Sequence, residues 1–124
     1  GTVIECAMAG VVSNAAAASN HTVAIRIGGV VVAQTVVALG ATARTNALGF
    51  VNAKALVLTA GATGTATGPV TYYVTGGAAI VPTATTAPAT VNTTIANVIE
   101  LVITASVATS TFNVLSAELR LANQ

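Results

Sequence analysis

The 124 residues suit a single domain, residues 1–124, of 12.0 kDa. Only seven are charged, aspartate is absent, and Ala, Val and Thr make up more than half of the chain. Such a chain lacks the charged exterior of an ordinary soluble domain, in which about a quarter of the residues are charged. A net charge of +1, with Arg26, Arg44, Lys54 and Arg120 scattered singly, offers nothing to nucleic acid.

The hydrophobic period is two throughout, so the predicted elements are strands. In chain order they are Val3–Val12, His21–Ile27, Val30–Val37, Phe50–Thr59, Thr63–Val74, Thr90–Ile95, Val98–Val107 and Thr111–Leu121. In the second, Val23, Ile25 and Ile27 face one way and Thr22, Ala24 and Arg26 the other. In the seventh, Ile99, Leu101 and Ile103 alternate with Glu100, Val102 and Thr104. In the last, Leu115, Ala117, Leu119 and Leu121 are expected on the core, with Ser116, Glu118 and Arg120 outside.

Gly28-Gly29 predicts a tight hairpin, because both residues tolerate positive φ. Ala60-Gly61-Ala62 and Ala108-Thr109-Ser110 read as two more. Ala15–Ala18 is too short to hold a helix and is read as a loop. Gly76–Pro88, with Pro82 and Pro88, reads as an extended surface connection able to reach a neighbouring subunit. The expected fold is all-β: an antiparallel β-sandwich, jelly-roll-like, of about eight strands. A parallel α/β fold has nowhere to place its helices.

No membrane span is expected. The longest uncharged window worth testing, Ile27–Ala43, falls short of the ~20 apolar residues a span needs, and Gly28-Gly29, Gln34-Thr35 and Gly40 break it. No basic stretch leads into an apolar run with a cleavage site at the amino end. Cys6 is the only cysteine, so no intrachain disulfide forms, which fits assembly in a reducing cytoplasm.

The inventory leaves little for catalysis. One His, one Cys and three Glu build few acid–base pairs, and the chain is read as a non-enzyme with no cofactor and no metal site. A Cys6–His21 dyad is arithmetically possible but has no third group to orient it. The glycine-rich stretch Gly61–Gly68 lacks the Gly-Lys-Ser/Thr ending of a phosphate loop and leads into a strand, so it is read as a hairpin shoulder. Glu118 and Arg120 share a face of the last strand and could pair with Glu100 or Arg26 across strands, or with another subunit. These four residues are the candidate intersubunit contacts.

Two resemblances bear on function. Thr2-Val3-Ile4-Glu5 is similar to the mature start of type IV pilins, but the apolar helix that continues there, longer than about 20 residues, has no counterpart. Here the apolar run ends at Val12 before Ser13-Asn14. More of the chain is involved in the second. The runs His21–Gly29 (HTVAIRIGG), Val57–Thr65 (VLTAGATGT), Val91–Leu101 (VNTTIANVIEL) and Ser110–Arg120 resemble a family of small tailed-phage virion structural proteins.

That resemblance implies a jelly-roll subunit, often trimeric, that decorates a capsid or forms part of a head spike or fibre. Its partners would be copies of itself, the major capsid protein and other virion proteins. It would be found in the virion, assembled in the host cytoplasm. Neutral faces would then dock against other protein with little charge to desolvate. The alternatives are an extracellular filament subunit that donates the strand Thr2–Val12 to its neighbour, and a carbohydrate-binding adhesion module using Tyr72-Tyr73. Alternation sends one of those two rings inward.

Overall fold

The computed structural model describes residues 2–16, 19–40, 42–75, 84–85 and 87–123. Among them are ten strands and no helix: β1 (Thr2–Asn14), β2 (Asn20–Ile27), β3 (Val30–Ala38), β4 (Arg44–Thr59), β5 (Gly64–Thr67), β6 (Pro69–Val74), β7 (Ala84–Thr85), β8 (Ala89–Val91), β9 (Ile99–Ala105) and β10 (Thr111–Asn123). They form two antiparallel sheets packed face to face, the expected β-sandwich. No helix among the described residues is long and apolar enough to cross a membrane.

Sheet A runs β10-β1-β4-β5-β8, with β6 beside β4 and β7 beside β6. Since β5 and β6 both pair with β4, and β8 and β7 lie outside them, the sheet is five rows wide. Sheet B has three rows, β3-β2-β9. The chain crosses from β1 in sheet A to β2 in sheet B, and β9 and β10 retrace that crossing antiparallel beside them. This doubled course ties the two sheets together along one side of the sandwich.

The expected strand Thr63–Val74 is one course along β4, interrupted at Gly68. A Cβ on Gly68 would drive into the Lys54 carbonyl oxygen of β4, so only glycine lets the two backbones pass there. The chain bends at that point, and Gly64–Thr67 and Pro69–Val74 register separately. The Gly28-Gly29 hairpin forms as expected, with φ of 58° and 81°, and sets Ile27 opposite Val30. The turn before Gly64 contains Gly61 at φ 129°.

Ala108-Thr109-Ser110 does not close a hairpin. β9 and β10 lie in different sheets, and the segment carries the chain across the edge of the sandwich. Thr90–Ile95 also shortens to Ala89–Val91, because Asn92 turns the chain by accepting from Thr94 N at 2.9 Å. Part of Ala15–Ala18 and most of Gly76–Pro88 lie outside the described residues. Within the latter, Ala84–Thr85 pairs with β6.

The core lies between the sheets. Val23, Ile25 and Ile27 of β2 and Val32 and Val37 of β3 meet Val51, Ala53 and Ala55 of β4 and Val70, Tyr72 and Val74 of β6. β3 lies over β6, β7 and β8, while β2 lies over β4 and β6. Leu101 of β9 lines clefts with Cys6 and Met8 of β1. Among the described residues no further row of sheet B is left for β10, which only shares cleft walls with β9.

The apolar row of β10 therefore misses the core, contrary to the sequence expectation. Leu115, Leu119 and Leu121 are 66%, 49% and 61% exposed. A bulge where Ala9/Gly10 meet Ser116/Val114 leaves Leu115 without a partner and switches the inward set to Phe112 and Val114 at the start of β10. Phe112 is the inward anchor. Its ring rests on the facing pair Gly10 and Gly49, where a Cβ on either residue would strike it.

Replacing Gly68 by alanine is expected to cost about 2 kcal/mol or more, since backbone must move to admit the methyl group. Urea denaturation of the G68A variant against the parent checks this, and an unchanged midpoint would contradict the close approach.

Candidate functional site

The side of the sandwich between the β9 and β10 edges is where the structure leaves apolar surface without cover. Besides a cleft of about 400 Å³ lined by Ile4, Ile27, Ile99 and Leu121 among others, two more open there. One, of about 190 Å³, is lined by Met8, Leu101, Ile103, Phe112 and Val114 among others. The other, of about 280 Å³, lies between Cys6, Met8 and Leu101 and the β10 residues Ala117 and Leu119. Beyond them Leu121, with Ile95 and Val98 before β9, is exposed. The apolar side chains in these walls favour cover by another apolar surface.

The outer face of sheet A collects four of the seven charges. Glu5 on β1 stands opposite Arg120 on β10 and Lys54 on β4. The Arg120 guanidinium donates to Glu5 through Nε at 3.0 Å and through Nη2, and Lys54 Nζ lies 3.7 Å from the other carboxylate oxygen. The hydrogen bond from Arg120 holds the Glu5 carboxyl below the usual carboxylate range; burial opposes it, and the charges of Arg120 and Lys54 add to it. Accepting the same bond, Glu5 pushes Arg120 further up.

The expected pairing of Glu118 and Arg120 with Glu100 or Arg26 does not occur. Arg26 and Glu100 stand opposite each other on β2 and β9 in sheet B, whereas Glu118 and Arg120 belong to sheet A. Arg120 turns to Glu5, a residue the sequence analysis did not single out. Glu5 entered only as part of the pilin-like opening Thr2–Glu5, and nothing in a period of two says that the first and last strands are neighbours. Glu118 makes no ion pair within 4.0 Å among the described residues.

The second missed feature is buried. His21, with no exposed surface, places Nδ1 2.7 Å from the Tyr72 hydroxyl and Nε2 2.7 Å from the Ser110 hydroxyl. A neutral imidazole meets both neighbours, donating through one nitrogen and accepting through the other. The network links β2 of sheet B, β6 of sheet A and the segment that crosses to β10. The Phe112 ring meets Tyr72 edge-on, with centroids 6.0 Å apart. Burial, and then the nearby Arg44 cation, push the His21 pKa down, and burial pushes the Tyr72 phenol up.

Arg44 is itself buried and has no carboxylate beside it. Its Nη1 donates to Asn14 Oδ1 at 3.1 Å, to the Leu39 carbonyl at 2.9 Å and to the Thr42 carbonyl at 3.2 Å, tying the end of β1 to the β3–β4 crossing. Its Nε has no partner.

The arithmetic Cys6–His21 dyad does not form, because both nitrogens of His21 are engaged elsewhere and Cys6 is a buried thiol whose pKa burial raises. Among the described residues no group of three or more His, Cys, Asp or Glu side chains could hold a metal ion. Tyr72 points inward and Tyr73 outward, where its ring lies 6.3 Å from that of Phe50.

Tyr72→Phe should cost about 1–3 kcal/mol, because it strands a buried nitrogen of His21, as measured by urea denaturation. His21 is the single histidine. Its folded pKa lies below the unfolded value of 6.5, so as pH falls below 6.5 the unfolded chain takes up the proton first and stability drops. The drop ends once the folded pKa is passed. Unfolding free energy measured between pH 7.5 and 5 (a range of about two and a half units around the imidazole pKa) should show this slope, and His21→Gln should remove it.

No family model, curated protein or solved structure compared with this chain matches it.

Proposed function

We propose that this chain is a non-enzymatic structural subunit of a virion, a capsid decoration or head-spike or fibre protein, that works by burying neutral faces against copies of itself and the shell beneath. The observation that carries this reading is the uncovered β9–β10 side, where Leu119, Leu121 and Val98 are about half exposed or more. Surface of this kind is costly to leave in water and inexpensive to cover, because it has few charges to desolvate. The likeness of His21–Gly29, Val57–Thr65 and Val91–Leu101 to small tailed-phage virion proteins supports the virion as the setting. The major capsid protein is the partner this reading names.

The single histidine supports the non-enzymatic part, since its two nitrogens are spent on Tyr72 and Ser110 inside the core. The filament alternative loses its donor strand: β1 lies in its own sheet, paired with β10 on one side and β4 on the other.

Light scattering on the purified protein at micromolar concentration is expected to give a mass several times the 12.0 kDa of one chain. A monomer at that concentration would overturn the proposal.

A further inference from the structure

Among the described residues β10 is the longest strand with a free edge. Natural sheets blunt their edges with proline, bulges, inward charges or short strands. β8 has three residues, and β3 carries a register shift opposite Ile25/Arg26. β10 runs for 13 residues, and beyond its bulge at Leu115 the stretch 116–122 is regular and free of proline. Among the described residues it pairs with β1 alone.

We propose that this edge pairs with the same edge of a second copy of the chain, antiparallel about a two-fold axis at Leu119, which joins two A sheets into one. The inference rests on the subunit reading above and adds to it a specific contact and register. The sequence of the strand is complementary to itself under that operation. With Leu119 on the axis, Glu118 lies opposite Arg120 of the other copy and Arg120 opposite its Glu118, both on the outer face. On the inner face Leu119 meets Leu119 and Ala117 meets Leu121, so Leu119 and Leu121 gain lateral apolar contacts across the seam. A two-fold contact requires this self-complementarity.

Charge also fixes the register. Sliding the pair by one residue on each strand sets Glu118 against Glu118 or Arg120 against Arg120. A slip that changes parity would put Glu118 beside a leucine and turn the apolar row to the wrong face. Arg120 keeps donors for a second carboxylate, because its bonds to Glu5 use Nε and Nη2. Among the described residues Glu118 makes no ion pair within its own chain. The β9 edge has no such symmetry, since its one charge, Glu100, would face Thr104 about Val102.

Two variants and their mixture test the contact. E118K and R120E each place like charges opposite one another twice, and each is expected to weaken self-association about tenfold. Mixed in equal amounts they make opposite pairs at both positions, and the mixture should recover the association of the parent as a heterodimer, read by native mass spectrometry and sedimentation. Thermal melts of each variant check folding. Leu119→Lys, at a half-exposed position, gives a second disruption that does not touch Glu5.

Unchanged association in both charge variants and in Leu119→Lys would overturn the contact, as would a mixture no better than either variant alone. If the parent still assembles in that case, only the β10 contact fails and the subunit reading stands. A parent chain that stays monomeric overturns both.

Discussion

An apolar sheet face is stable in water only where something lies over it, and the two sheets of this sandwich supply unequal cover. Sheet A is five rows wide, and sheet B has three. β3 and β2 lie over the β4–β8 side, and Leu101 of β9 reaches the clefts beside β1, so the sheet with the two chain ends overhangs. Phe112 turns in to meet Tyr72 at the start of β10, and past the bulge the leucines of that strand have no opposing layer. Much of the external character of the molecule follows from this imbalance.

The few polar groups inside are placed where the chain passes from one sheet to the other. His21 opens β2 just after the first crossing, and Ser110 ends the crossing into β10. Tyr72 joins them from the opposite sheet. Arg44 holds the β3–β4 crossing through carbonyls and Asn14. At the β3–β4 crossing the Arg44 and Asn14 side chains satisfy backbone carbonyls that no ladder reaches. In a core made mostly of valine and alanine, which packs without direction, these bonds also fix which segment meets which.

The charges serve a different purpose. Glu5 gathers Arg120 and Lys54 on the outer face of sheet A, binding the first and last strands to the middle of the sheet. Among the described residues Glu118 makes no ion pair beside them. A strand edge with one free acid, one basic neighbour with donors to spare and a row of bare leucines is suited to meet its own image. The scarcity of charge elsewhere removes competing registers and lowers the desolvation cost of contact.

A good part of this was legible in the sequence. The alternation in His21–Ile27 and Val98–Thr104 gave strands and their inward faces, and Gly28-Gly29 gave a hairpin, because period and turn chemistry are local. Glu118 and Arg120 were visible as one face of one strand for the same reason. Their partner was not, nor were the bonds of His21 to Tyr72 and Ser110, which lie 51 and 89 residues away. Side-chain alternation reports which face a residue takes and carries no record of which strand lies beside it or above it. The row from Leu115 to Leu121 therefore read as core, and only the packing of a narrow sheet on a wide one left it outside.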